Sequence, residues 1–260
     1  MAKKTKKPVK RIYGWKPDLP DIRDHMYGDV QPTKPIALPP SVNLSPNCSP
    51  VEDQGSLGSC TANALVGALE YIEQKDKCVF VDLSRLFVYY NERKLEGTVN
   101  QDSGAQIRDG IKTLASQGIC SEKNWPYMVS KFTNKPTTAC YKEGLLHTIT
   151  SYQRINNLND MKTCLASGYP FVFGFTVYES FESQEVATTG ILPMPSSSER
   201  VVGGHAVCCV GYDDSKKMVL VRNSWGVDWG LKGYFWMPYN YISNNNLATD
   251  MWKINIIKGF

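Results

Sequence analysis

The chain has 260 residues, 42% hydrophobic and 21% charged, with a formal net charge of +4. That is length enough to bury a large core as one domain or two halves, and no apolar run approaches the length of a membrane-spanning helix. Six of the basic residues stand in the first eleven, MAKKTKKPVKR, which leaves 23 basic against 25 acidic groups in the rest. The body of the protein therefore carries no basic field for nucleic acid, and the charged tail reads as a solvated end. The segment after it, IYGWKPDLPDIRDHMY, lacks the apolar core of a secretory signal. A cytoplasmic site is the default expectation, with export by another route left open.

In chain order, residues 1–37 are basic, then rich in Pro and Asp, and read as an extended arm or pro-segment. Residues 38–147 are dominated by helical patterns. In VEDQGSLGSCTANALVGALEY, Gly55 and Gly58 mark a tight loop, and Leu65, Ala68, Leu69 and Ile72 then recur at helical spacing. Cys60 falls at the helix mouth, where free N–H groups and the helix dipole favour the reactive thiolate. A buried, inert cysteine is the competing reading of this stretch. DLSRLFVYYNERKLEG predicts a helix capped by Ser84 and ended at Gly97. QIRDGIKTLASQGI places Ile107, Ile111 and Leu114 on one helical face and stops at Gly118.

Residues 148–260 are richer in strand patterns: YPFVFGFTVY, HAVCCVGYDD, KKMVLVRNSW and KGYFWMPYNY. YDDSKKMVLV predicts a hairpin, and MPSSSER and NYISNNNLA predict surface loops. A mainly helical half followed by a mainly β half gives an α+β fold with a site at the junction. The eight cysteines, at 48, 60, 78, 120, 140, 164, 208 and 209, show no CxxC pair and no Cys/His spacing of a zinc site, so neither metal nor cofactor is expected. Cys208 and Cys209 adjoin on a predicted strand and point to opposite faces. Without a secretory signal, the thiols are expected to be mostly reduced.

A nucleophilic Cys60 needs a base, and the histidines are His25 in the arm, His147 near the join and His205. His205 follows Gly203 and Gly204 at the start of a strand, 145 residues after Cys60. Asn223 sits where an apolar strand ends, with Trp225 two residues on. An asparagine amide can orient an imidazole, and an indole can keep water from that bond. Each piece alone has a structural explanation, as a core histidine or a turn. Three ordered segments, Q-G-x-x-G-S-C, G-H-A-V and N-S-W-G-x-x-W-G-x-x-G-Y, are hard to explain by chance.

Together they resemble the papain-like cysteine peptidases, the family that includes the cathepsins, over roughly residues 38–257. LPPSVNL looks like the mature N-terminus, and SQGICSEKNWPY resembles the family's segment ending in Tyr-Pro-Tyr. The resemblance implies a papain-like two-domain fold. The helical left domain (38–147) would carry the nucleophile and an antiparallel, β-barrel-like right domain (148–260) the histidine and asparagine, with the cleft between them. It implies Cys60 as nucleophile, His205 as general base and acid, Asn223 as orienter, and Gln54 as side-chain donor of the oxyanion hole. Gly104, in NQDSGAQ, resembles the glycine strand that pairs with substrate backbone. Gly204 and Trp225 are the further substrate-binding candidates.

Two departures stand out. Leu57 occupies the usual place of a disulfide-forming cysteine, with Asp102 near that cysteine's partner. Thr61 replaces the aromatic residue that usually follows the nucleophile. The expected partners are peptide or protein substrates, proteinaceous cysteine-protease inhibitors, and the chain's own arm. Residues 1–37 are too few for the family's long helical pro-domain. Tyr13, Trp15, Leu19, Ile22, Met26 and Tyr27 could nonetheless bury against a groove. Residues 13–30 are therefore expected across or beside the cleft, as in a zymogen, until cleavage near Pro35 to Leu38. Two other classes use the same residues: an inactive peptide-binding homologue, and a thiol-dependent amidase or acyltransferase.

Overall fold

A computed structural model describes residues 11–30, 37–77 and 80–258. The basic start, Cys78 and the expected cleavage point at Pro35 lie outside them. In chain order the regular elements are β1 (Trp15–Lys16), β2 (Ser41–Asn43), α1 (Cys60–Lys77), α2 (Arg85–Leu95), β3 (Ala105–Gln106), α3 (Ile107–Ser116), α4 (Thr138–Gly144) and β4 (Thr148–Arg154). There follow α5 (Leu158–Ala166), β5 (Phe171–Tyr178), α6 (Gln184–Thr189), β6 (Val201–Asp213), β7 (Met218–Arg222), β8 (Tyr234–Pro238), α7 (Tyr239–Ile242) and β9 (Ala248–Lys258).

Local chemistry sets the helices of the first half. Ser84 accepts the Phe87 N–H at 3.1 Å and caps α2. Gly118 ends α3 at a φ of +65°. In the second half an antiparallel sheet runs in the order β4-β9-β5-β6-β7-β8, with β2 added on β6. The expected hairpin joins β6 to β7, pairing Asp213 with Met218. The sheet is barrel-like in its coverage but open, since β4 and β8 do not pair among the described residues.

Alternation along the strands divides the core in two. Val172, Ala206 and Cys208 face α1 and the helical half. Phe171, Phe173, Phe175, Val207 and Cys209 face the other way, onto α5. Cys208 and Cys209 thus lie on opposite faces as expected. Each fully buried Phe contributes about 1.5–3 kcal/mol of transfer free energy. The seven described cysteines are all free thiols.

The stretch NYISNNNLA is not simply a loop. α7 begins just before it, and Tyr241 and Ile242 are buried. The Tyr241 hydroxyl donates to the Thr176 carbonyl at 2.6 Å, and this long-range bond outweighs a polar local composition. No helix among the described residues is long and apolar enough to cross a membrane.

Candidate active site

Cys60 is the first residue of α1 and is fully buried. Its sulfur lies within reach of the backbone N–H groups of Ala206, Gly14 and Thr61. The Ala206 contact seats the thiol against β6 beside His205. The His205 Nε2–H donates to Asn223 Oδ1 at 2.8 Å, and the same oxygen accepts the Ser224 N–H at 2.8 Å. An oxygen holding two donors fixes the imidazole with its proton on Nε2. Nδ1 then keeps its lone pair, and it is buried without a hydrogen-bond partner among the described residues. Trp225 covers this pair, its ring 5.2 Å from the imidazole and inclined by 30°.

Burial pushes the Cys60 thiol up to about 11 and the His205 imidazole down to about 4. Both groups are therefore neutral across the range between. In this closed form burial works against the thiolate that the helix end favours at Cys60. A helix N-terminus contributes typically about 0.3–1 kcal/mol, and removing the thiolate from water costs more.

Gln54 is buried next to Cys60. Its Nε2 donates one N–H to the Leu57 carbonyl at 2.8 Å, and its Oε1 accepts the Ser224 hydroxyl at 2.6 Å. The amide plane is thereby held between the nucleophile loop and the Asn223–Ser224 turn. Thr61 hydrogen-bonds through Oγ1 to the buried Glu92 at 2.9 Å. Tyr127, within the segment ending WPY, donates to the Gln54 carbonyl at 2.9 Å and pairs with the Ser59 hydroxyl at 2.6 Å. Tyr127 closes the WPY segment already legible in the sequence, whereas Glu92 carries no local signal and is identified only by its bond to Thr61.

The arm occupies the junction. Arg11 lies 5.0 Å over the Trp225 ring and pairs with Asp53 at 2.8 Å. Tyr13 sets its ring edge-on to His205 at 6.0 Å, and its hydroxyl donates to Glu182 at 2.6 Å. Gly14 passes between Gly58 and Gly104 so closely that a Cβ on Gly14 or Gly104 would collide with the facing backbone. The Gly14 carbonyl accepts the Ala105 N–H at 2.7 Å, as β1 pairs parallel with β3. Trp15 lies against Gly174 and Gly204, and its Nε1 donates to Asp250 at 3.2 Å.

Further along, polar anchors take over. The Asp18 N–H donates to Asp250 at 2.7 Å, and the Asp18 carboxylate accepts the Trp252 indole N–H at 2.8 Å and the Arg108 backbone N–H at 3.1 Å. Arg154 bridges Asp24 at 3.1 Å and Asp250 at 2.7 Å. Burial and the neighbouring Asp250 raise Asp18 to about 6. Tyr27 is buried, as expected, but Leu19 and Ile22 are exposed. Carboxylate and arginine contacts hold that part of the arm instead of the expected apolar ones. Among the sequence candidates, Cys60, His205, Asn223 and Gln54 converge. Gly104 and Gly204 border the arm at Gly14 and Trp15, and Trp225 lies on the imidazole. Among the described residues, no group of three or more His, Cys, Asp or Glu is placed to hold a metal ion.

Residues 38–253 match the family described as papain family cysteine protease. The chain belongs to this family and is a papain-like cysteine peptidase, a hydrolase. An uncharacterized peptidase C1-like protein of Acanthamoeba polyphaga mimivirus is 49% identical over 213 residues, which cover 78% of this chain and 68% of that protein. A cathepsin B-like protein of Giardia intestinalis is 31% identical over 206 residues, covering 73% of this chain and 64% of that one. The crystal structure of xylellain, a cysteine protease from Xylella fastidiosa, is similar at a TM-score of 0.89 and 45% identity. The match covers 98% of this chain and 99% of that one.

Proposed function

We propose that the chain is a cysteine endopeptidase that cuts peptides through a thioester and is held closed by its own N-terminal arm. In this reading residues 1–37 form the pro-segment, 38–147 supply Cys60 and Gln54, and 148–260 supply His205 and Asn223. The observation that carries it is the seat of the Cys60 sulfur. It adjoins Ala206, next to the His205–Asn223 pair, and meets the backbone N–H of Gly14 in the arm.

With the arm displaced and the site hydrated, Cys60 passes its proton to His205 Nδ1, and the ion pair is the reactive state. The thiolate attacks the substrate carbonyl. The developing oxyanion accepts hydrogen bonds from the Cys60 N–H and the free N–H of Gln54. His205 returns its proton to the leaving amine, and water activated by the same imidazole then cleaves the thioester. Asn223 keeps the imidazole in the tautomer this requires. Gly104 and Gly204 would meet the substrate backbone, and Trp225 would shield the His205–Asn223 bond. Proteinaceous inhibitors of cysteine proteases would compete for the same cleft.

Covalent labelling of Cys60 by an epoxide thiol inhibitor, together with digestion of dye-labelled casein, tests this reading. Labelling without digestion would favour a peptide-binding or amidase role. Gln54→Ala is expected to lower kcat by about two to three orders of magnitude, since one oxyanion donor is worth about 3 kcal/mol. In steady-state assays, Asn223→Ala should cost less than His205→Ala, because it orients a proton carrier and transfers no proton itself. If His205→Ala were the milder change, the base would be misassigned.

A further inference from the structure

We propose that Asp102, acting through Tyr89, is a positioning residue that ties the nucleophile loop to the glycine strand. The inference rests on the reading of Cys60 as nucleophile and of Gly104 as substrate-binding.

Gly58, two residues before Cys60, donates its N–H to both oxygens of the Asp102 carboxylate, at 3.0 and 3.1 Å. Tyr89, on α2, donates its hydroxyl to the same carboxylate. That hydroxyl in turn accepts the Gly104 N–H at 3.2 Å. The result is a continuous relay from the Gly58 N–H through the Asp102 carboxylate and the Tyr89 hydroxyl to the Gly104 N–H. Its two ends are the backbone positions that enclose Gly14 of the arm. The relay therefore sets the width of the slot through which an extended backbone passes Cys60.

The middle of the relay is itself fixed. Arg93 is fully buried, lies 4.1 Å over the Tyr89 ring and donates to the Tyr89 carbonyl at 3.1 Å. The same guanidinium donates to the carbonyls of Val99 and Gln101 at 2.8 and 3.0 Å, gripping the loop that carries Asp102. Hydrogen bonds to a carboxylate are roughly twice as strong as neutral ones. Leu57, next to Gly58, is packed in the core and anchors the same loop from its inner side. A tie of this kind survives a reducing medium that would open a disulfide.

The test uses the full-length chain carrying Trp15→Ala, which removes the arm's largest apolar anchor and so weakens its hold on the slot against a competing substrate. Adding Tyr89→Phe keeps the ring under Arg93 but removes the hydroxyl. It should raise KM for a peptide about five- to tenfold, with kcat within threefold and the rate of Cys60 alkylation by iodoacetamide unchanged. Asp102→Ala should lower kcat tenfold or more, and Asp102→Asn should recover most of that loss, because its amide oxygen still accepts the Gly58 N–H. Tyr141→Phe removes a different buried phenol bond to α2, at Asn91, and serves as the control for general loss of stability.

Alkylated protein is assayed first. Hydrolysis that survives complete alkylation of Cys60 overturns the nucleophile reading. If alkylation stops hydrolysis while Tyr89→Phe and Asp102→Ala leave both KM and kcat unchanged, the relay alone is overturned. The same holds if they change activity only as Tyr141→Phe does. Should Asp102→Ala fail to fold, the KM of Tyr89→Phe set against that of Tyr141→Phe still decides.

Discussion

Cys60→Ala is expected to remove peptide hydrolysis, by about 10⁴-fold or more, while leaving the fold intact. The size follows from the chemistry: without the sulfur no thioester forms, and the remaining oxyanion donors act only on a substrate with nothing to attack it. The fold should tolerate the change because the alanine stays inside a well-packed helix start and only one heavy atom is lost. Circular dichroism and thermal unfolding of the variant check the second half of the expectation, and turnover of a fluorogenic peptide checks the first. Persistence of more than a trace of turnover would refute Cys60 as the nucleophile.

A chain beginning at Leu38 is expected to hydrolyse small peptides about a hundredfold faster than the full chain. Burying Trp15 alone is worth about 3 kcal/mol, and tethering adds an effective concentration of about millimolar, so a free peptide competes poorly with the arm. The same comparison has a pH signature. With the arm in place the thiol is raised, so Cys60 stays protonated until pH approaches about 11, and His205 is lowered, so it stays neutral above about 4. Alkylation of Cys60 in the full chain should therefore be slow at pH 7 and climb with added base. Without the arm, both groups regain water and the thiolate–imidazolium pair becomes accessible, so alkylation should already be fast near neutrality. Equal hydrolysis rates for the two chains, with the arm shown to be uncut throughout, would sink the idea.

These expectations draw unequally on sequence and structure. The helix after Cys60, the Ser84 cap, the strands around His205 and the Asn223 segment were legible because each is encoded within about a dozen residues. Periodicity, caps and turn residues act at that range. The convergence of Cys60, Gln54, His205 and Asn223 was legible through their ordered motifs. β4 was harder to see, since its residues are largely polar and only Ile149 is fully buried. β9 forms only through its partners β4 and β5, and so depends on distant parts of the chain.

The sequence by itself determined which groups could carry the chemistry and roughly where the helical and β halves lie. Only the tertiary structure set how strongly burial disfavours the charged forms of Cys60 and His205, because that depends on how much water the packed arm excludes. It also decided that Asp18, Asp24 and Asp250 hold the arm with Arg154, and that Asp102 meets Gly58. Such contacts join residues far apart in the chain, and a carboxylate carries no local mark of the partner it will find. Long-range hydrogen bonds and desolvation come into being only when the chain closes on itself.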